Sequence, residues 1–222
     1  MPPPFFNPVL FGMELLFAVI IFILCLIIYL KTKESYQLTQ HQGIRFFRDA
    51  FLFFGISYLI RFSFMLTKLF FDIRLFRGEL GSLFILPLGY LSTIAIFYIG
   101  LSLVWKKFNV KYFVILGHII AILLSILVFV TKSPLILVYI QSFFLIMAVI
   151  LILITNKKKK SLIKTVYVLI FIFWLINLWA VIPGKFLAME YKILFHLISV
   201  GLFGIVYYKI SKWLKWTRKE ID

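Results

Sequence analysis

Seven long apolar runs dominate the sequence and decide which folds are open to it. Each contains 18 to 22 residues, and at about 1.5 Å of rise per residue a helix of that length crosses a hydrocarbon core of about 30 Å. Helices satisfy their own backbone hydrogen bonds, as lipid requires, and no run shows the alternation of a membrane barrel. The predicted spans are Val9–Leu30, Ala50–Phe71, Leu83–Val104, Tyr112–Val130, Leu135–Ile154, Thr165–Pro183 and Ile193–Ile210.

The composition supports a membrane class. Apolar residues make up 64% of the 222 residues and charged residues 14%, whereas soluble domains have roughly 45–50% and 25%. The single cysteine, Cys25, excludes a disulfide or a multi-cysteine metal site within one chain. We therefore predict an all-α, multi-pass protein of the cell membrane, with one seven-helix domain over residues 1–222 in contact with the lipid bilayer. Residues 211–222 form a basic cytoplasmic tail.

The distribution of basic residues predicts the orientation. Of the lysines and arginines outside the runs, or at their edges, 17 fall on one side of the predicted bundle and six on the other. Basic residues concentrate in cytoplasmic loops, so the N-terminus is predicted outside and the C-terminus inside. The same loops account for the net charge of +16, and nucleic-acid binding is not expected. The longest predicted cytoplasmic loop is Lys31–Asp49, whose second half is expected to extend the second helix inward.

Arg61 is the costliest residue in the sequence. It lies near the middle of the second apolar run, where an arginine costs about 2.5–3.5 kcal/mol on insertion scales. Such residues turn to protein or to a wet cavity and are usually paired. We expect Glu14 of the first span to be the counter-ion of Arg61.

Five polar residues from five spans are predicted to share one level in the outer half of the membrane. Helical rise places them about 5–14 Å below the outer face. One interpretation is the wall of an outward-open pocket for a small polar or anionic ligand. The alternative is a set of interhelical hydrogen bonds that hold the bundle together. The five candidate pocket residues are Glu14, Arg61, Gln141, Asn177 and His196.

Other polar features predict less chemistry. His118 lies in the opposite half of the bilayer, where a hydrogen-bonded structural role is expected rather than a metal shared with His196. The four lysines that follow the fifth span are candidates for lipid or partner contact, the alternative being a loop that only sets topology. They are Lys157, Lys158, Lys159 and Lys160. The sequence contains no catalytic or nucleotide-binding motif. Neither an enzyme nor a cofactor or metal is expected.

The sequence also indicates an internal repeat. Lys31 follows Pro8 by 23 positions, as Lys157 follows Pro134, and Tyr58–Arg61 (YLIR) aligns with Trp174–Asn177 (WLIN). These matches predict two parallel three-helix repeats joined by the fourth span, an arrangement known among transporters such as the SWEET sugar exporters. Chance similarity between apolar segments is the alternative.

The stretch from Arg48 to Val104 resembles the seven-span sensor modules that precede membrane histidine kinases. It has an aromatic-rich second span with Gly55 and Ser57, then a third span containing Pro87. The resemblance implies a sensor that receives an outside signal. We expect no soluble output domain after the seventh span, so such a sensor would pass its signal to a separate cytoplasmic or membrane partner. No site residue is transferred by this resemblance.

Three functions follow from these patterns. The first is a sensor or receptor-like module with an outward pocket. The second is a small-solute transporter built from two three-helix repeats. The third is a structural or assembly subunit of a membrane complex.

The orientation is testable with reporter fusions. We expect fusions after Thr131 and Gly184 to report an outside location, and fusions after Asn109 and Asn156 an inside location, because positive loops stay cytoplasmic. Activities of paired alkaline phosphatase and green fluorescent protein fusions provide the measurement. A consistent reversal at all four positions contradicts the orientation.

Overall fold

The described residues form seven α-helices. In this computed structural model they are residues 8–70, 79–106, 110–155, 162–180 and 189–219, and they include no strand. Each helix contains one of the predicted runs. The helices are α1 (Pro8–Thr39), α2 (Gln42–Phe70), α3 (Glu79–Val104), α4 (Val110–Thr131), α5 (Pro134–Thr155), α6 (Leu162–Ala180) and α7 (Met189–Lys219).

Six of these helices close into a ring. Helix α2 packs most extensively, against α1 on one side and α3 on the other. The ring continues from α3 to α5, α6 and α7, and α7 returns to α1. Helix α4 lies outside this ring, against α3 and α5. The centre of the ring is therefore bounded by two consecutive three-helix groups, with α4 as the connection between them.

Large apolar side chains cover the outside of the bundle. On α4, Ile115, Leu123 and Val130 are exposed while Ala121 and Ser125 are buried. Contiguous exposed apolar surface of this extent is typical of a lipid-facing surface. Five of the described helices are long and apolar enough to cross a membrane, and α5 and α6 hold shorter apolar segments. The chain is a helical membrane protein.

The predicted loop Lys31–Asp49 is almost entirely helical, and the helical conformation of its first half was not predicted from the sequence. Helix α1 continues to Thr39 and α2 begins at Gln42, leaving Gln40 and His41 as the connection. Gln40 has a φ of 52°, and its backbone N–H donates to the Tyr36 backbone carbonyl over 2.8 Å. A residue in the left-handed region closes the end of a helix in this way. The expected inward extension of the second helix is present.

The end of this helical hairpin packs against the end of α3. The His41 ring lies edge-on to Trp105, with centroids 4.8 Å apart, and Gly43 lies directly beneath the indole. A Cβ at Gly43 would come within 2.8 Å of the Trp105 Nε1. Burial, followed by the charge of Lys106, lowers the pKa of His41. Near the start of α2, Arg48 forms an ion pair with Asp49, in which the Arg48 Nη2 lies 2.6 Å from the Asp49 Oδ1.

Aromatic rings fill the centre of the ring of helices. Phe54 of α2 lies edge-on to Trp174 of α6, with centroids 4.7 Å apart, and to Phe173 at 5.8 Å. Phe173 in turn packs on Phe203 of α7 at 4.6 Å, and Phe203 on Phe51 at 5.9 Å. We call these five residues, Phe51, Phe54, Phe173, Trp174 and Phe203, the aromatic floor. All five are buried.

The contact beneath Trp105 predicts opposite effects for two glycine-to-alanine changes. Gly43→Ala should destabilise the protein by about 1–2 kcal/mol because the indole must shift. Gly100→Ala, within α3, should stabilise it by about 0.5–1 kcal/mol, since a Cβ there meets no atom within 4 Å among the described residues. Apparent melting temperatures in detergent measure both. Equal shifts in the same direction would contradict the packing at Trp105.

Candidate functional site

A cavity of about 430 Å³ lies at one end of the bundle. Its wall comes mainly from the first halves of α1, α3, α5 and α7 and the second halves of α2 and α6, with Phe54, Ser92 and Ile96 nearer the middle of their helices. These half-helices all lie toward the side that the basic residues predict to be outside. Helical spacing of three or four residues brings Phe54, Tyr58, Arg61 and Met65 of α2 onto this one wall.

Arg61 and Glu14 meet at the cavity. The Arg61 Nη2 lies 3.7 Å from the Glu14 Oε2, and the side chains are 12% and 23% exposed. The pair links α1 to α2 and gives the guanidinium the counter-charge that its depth demands. This separation exceeds that of a charge-assisted hydrogen bond, about 2.7–2.9 Å. The Arg61 guanidinium also hydrogen-bonds with the Tyr58 side chain, so it contacts both Glu14 and Tyr58 at the wall.

Tyr58 and Asn177 join α2 to α6 one turn below the ion pair. The Asn177 side-chain amide donates to the Tyr58 hydroxyl, and the Arg61 guanidinium lies 6.0 Å from the centre of the Tyr58 ring. Asn177 is buried and lines the cavity. Its Oδ1 has no hydrogen-bond partner among the described residues. A buried amide oxygen without a partner costs about 1–3 kcal/mol.

Gln141 has the structural contacts that the alternative interpretation expects. Its Nε2 donates to the Ser92 Oγ over 2.7 Å and to the Thr93 Oγ1 over 2.9 Å. These bonds fasten α5 to α3, and the side chain is 1% exposed. Gln141 also lines the cavity, as does Ser92. The residue therefore both holds two helices together and contributes a polar surface to the wall.

His196 lies outside the cavity lining. Its ring packs on Phe17 of α1, with centroids 4.3 Å apart, and the residue is buried. Neither ring nitrogen has a hydrogen-bond partner among the described residues. Lys192, one turn earlier on α7, lines the cavity instead. The structure thus brings Glu14, Arg61, Gln141 and Asn177 to one cavity and places His196 at the α1–α7 contact.

The second membrane histidine, His118, is held between two tyrosines of α3. The Tyr90 hydroxyl lies 2.7 Å from its Nδ1 and the Tyr98 hydroxyl 3.2 Å from its Nε2. Both ring nitrogens are therefore engaged in fastening α4 to α3, as the structural role expected from the sequence requires. The candidate contact residues Lys157, Lys158, Lys159 and Lys160 lie outside the described residues.

Sequence reasoning did not include several wall residues among the candidates. Tyr58, Ser92 and Trp174 line the cavity, and Tyr58 and Ser92 are the partners of Asn177 and Gln141. The sequence could have identified Tyr58 and Trp174 as wall residues, because Tyr58 precedes Arg61 by three residues and Trp174 precedes Asn177 by three. Residues at that spacing share a helix face. Lys192 belongs to the same polar face of α7 as His196.

The fold and the cavity define a helical membrane protein with a paired charge at the wall of an internal cavity. No protein-family model and no solved structure matches the chain. The chain is similar to an uncharacterized protein of Archaeoglobus fulgidus, with 29% identity over 228 aligned residues. The similarity covers 96% of this chain and 99% of that protein.

The Arg61–Glu14 contact predicts non-additive effects on stability. Arg61→Leu and Glu14→Leu should each destabilise the protein by about 1–3 kcal/mol, because each leaves the other charge unpaired in an apolar setting. The double variant removes both charges and should be more stable than at least one single variant. Apparent melting temperatures of the four proteins in one detergent measure the coupling. Additive losses contradict the pairing.

Proposed function

We propose that this protein is a seven-span, receptor-like module of the cell membrane whose cavity binds a small ligand from outside. The observation that carries the proposal is the cavity beside the Arg61–Glu14 pair. An arginine within a membrane is costly, and a leucine would pack at the same position without that cost. The pair places two charges at the wall of a space large enough for a ligand.

Seven spans and an outward cavity are both part of this proposal. Helices α5 and α6 contain 22 and 19 residues, which correspond to about 33 Å and 28 Å along the helix axis. These lengths support a crossing by all seven helices. The positive-inside rule then places the cavity toward the outside and the α1–α2 hairpin in the cytoplasm.

The aromatic floor supports a receptor over a channel. Phe54 and Trp174 form the inner end of the cavity, and Phe173, Phe203 and Phe51 lie behind them in continuous ring contact. Close-packed side chains of this kind exclude water. A transporter would have to open this layer during each cycle, whereas a receptor needs only a closed pocket. The two-repeat transporter is therefore the second candidate.

The cytoplasmic hairpin is the surface that we propose for a signalling partner. It extends the helices that carry Glu14 and Arg61, so both members of the ion pair are connected to it through continuous helix. Its exposed lysine and arginine residues, Lys33 and Arg45, outnumber the exposed Glu34, although Arg45 also lies 3.8 Å from Asp49. A cytoplasmic partner with an acidic face, or the anionic lipid surface, would supply the complementary charge.

Cysteine labelling tests whether the cavity opens to the outside. In a Cys25→Ala background, Ser57→Cys places a thiol on the cavity wall one turn from Arg61. We expect a membrane-impermeant methanethiosulfonate reagent to modify it from the outside of intact cells, and only slowly from the inner face of inverted vesicles. The neighbouring guanidinium favours the reactive thiolate.

Ser63→Cys provides the matched control. Ser63 lies on the same helix, but its side chain is exposed on the outer surface of the bundle, which faces lipid. Apolar surroundings raise thiol pKa values and slow reaction, so we expect labelling at least about tenfold slower than at Ser57→Cys. Equal rates at both positions, or labelling of Ser57→Cys from the inner side alone, contradict the outward pocket.

A further inference from the structure

The lining residues extend the cavity along the helix axes. On α2 they run from Phe54 to Met65 and on α3 from Phe84 to Ile96, which is about 16 Å and about 18 Å at the rise of an α-helix. A volume of about 430 Å³ spread over this length gives a narrow space that is longer than it is wide. Its shape therefore favours an extended chain over a compact ligand.

Most of this space is apolar, and its charges are confined to one part of the wall. Thirteen of the 21 described lining residues are apolar. Phe54, Ile96 and Trp174 are the innermost lining positions of α2, α3 and α6, and α3 and α5 contribute no charged residue to the described lining. The charged residues come from α1, α2 and α7 and are Glu14, Arg61 and Lys192. The cavity thus combines charge on one side with apolar contact along the other and at its inner end.

The neutral polar groups of the wall are engaged within the protein. The Ser57 and Ser92 hydroxyls each donate to a backbone carbonyl one turn earlier, over 2.7 Å and 2.8 Å. Gln141 donates to Ser92, and Asn177 donates to Tyr58. These bonds satisfy the donors without a ligand, so they do not by themselves favour a polar occupant.

Lys192 is the charged residue of the described wall that lacks a counter-charge. Arg61 contacts Glu14 at 3.7 Å and hydrogen-bonds with Tyr58. The half-buried Lys192 has no ion pair or hydrogen bond among the described residues. The described lining therefore carries one net positive charge. An opposite charge stabilises a lysine strongly where little water screens the two, so an occupant with one negative charge is favoured.

We propose that the ligand is a monoanion with one extended apolar chain, such as a free medium-chain carboxylate. This inference rests on the proposed function and specifies its ligand class. The carboxylate lies beside Lys192 and Arg61, and the chain runs inward along α3 and α5 to Phe54 and Trp174. Phe54 lies about 10 Å from the level of Arg61 along α2. A zigzag chain of about eight carbons spans that distance, since each carbon–carbon bond is about 1.5 Å long.

Bromine quenches tryptophan emission on contact and thereby reports where the chain ends. Trp174 is buried at the inner end of the cavity, so acid dissolved in the surrounding lipid does not reach it. The probes are 10-bromodecanoate, with bromine at the chain end, and 2-bromodecanoate, with bromine beside the carboxylate. Emission is measured on the full chain in phosphatidylcholine nanodiscs in mildly alkaline buffer, and only quenching that excess decanoate reverses is counted.

We expect 10-bromodecanoate to quench strongly and 2-bromodecanoate weakly, because only the chain end reaches the aromatic floor. Trp174→Phe should remove most of the 10-bromodecanoate signal while keeping an apolar ring at that position. The comparison of the two acids is made in the wild type and does not depend on this variant.

Competition against 10-bromodecanoate tests the charge and the chain separately. At equal mole fraction in the lipid, decan-1-ol and decylammonium should each displace it at least about tenfold more weakly than decanoate, because neither neutralises Lys192. Acetate at about a hundredfold excess should leave the quenching unchanged, since it has no chain to bury. Phosphatidylglycerol, an anion with two chains, should not displace the probe when it replaces part of the nanodisc lipid, because the narrow space fits one chain.

Two lysine variants assign the charge preference to its residue. Lys192→Gln should weaken displacement by decanoate about threefold to tenfold and leave displacement by decan-1-ol unchanged. The ratio of the two is insensitive to a general loss of folded protein. Lys132 is exposed in the turn between α4 and α5 and does not line the cavity. Lys132→Gln therefore controls for the loss of one surface charge and should leave the ratio unchanged.

Each contrary result has a defined meaning. Equal quenching by the two bromo acids overturns the inward chain, and displacement by acetate overturns the need for a chain. Equal displacement by decan-1-ol or decylammonium, or equal effects of the two lysine variants, overturns the anion at Lys192. Displacement by phosphatidylglycerol overturns the free acid in favour of a bilayer lipid, and the absence of reversible quenching overturns the ligand class.

The outward pocket is decided separately, because labelling of Ser57→Cys requires no ligand. Slow labelling there would overturn the proposed function itself, whereas rapid labelling without reversible quenching would overturn only the ligand class.

Discussion

A charge within an apolar bundle requires a counter-charge, and much of this structure follows from how that requirement is met. Arg61 and Glu14 lie on the first two helices and approach to 3.7 Å, which fixes the faces of α1 and α2 that turn inward. Once those faces are fixed, Ser57 and Tyr58 point to the same interior, and Tyr58 meets Asn177 of α6. The ion pair is thus the start of a polar layer that spans the bundle.

The contacts between helices differ between the polar layer and the aromatic floor. Polar contacts around the cavity are few, specific and interhelical, such as Gln141 with Ser92 and Thr93. The aromatic floor has none of this directionality and is held by ring packing. One half of the bundle can therefore exchange hydrogen-bond partners at modest cost, whereas the other resists rearrangement because close-packed rings must move together. In the proposed function, recognition belongs to the polar half and rigidity to the floor.

The sequence predicted the helices well because hydrophobic length determines them in lipid. It also predicted four members of the cavity wall, since helical rise gives depth and charge gives the facing direction. It did not predict the helical first half of Lys31–Asp49, because a charged segment beside a membrane is equally compatible with a loop or with a helix that continues past the lipid. His196 shares the depth of the cavity but not its wall. Depth alone does not determine the rotation of a helix, which depends on its neighbours.

The short connection between α1 and α2 has a mechanical consequence. Thr39 lies 25 residues beyond Glu14, about 38 Å along the helix, and Gln42 lies 19 residues before Arg61, about 28 Å. The two helices are joined by Gln40 and His41, pack extensively against each other, and meet in an ion pair near the far end. A tilt of about 5° in α1 at the ion pair displaces the closed end by about 3 Å. In the proposed receptor, a ligand that competes with Glu14 for Arg61 would therefore act on the hairpin through continuous helix, without any contact near it.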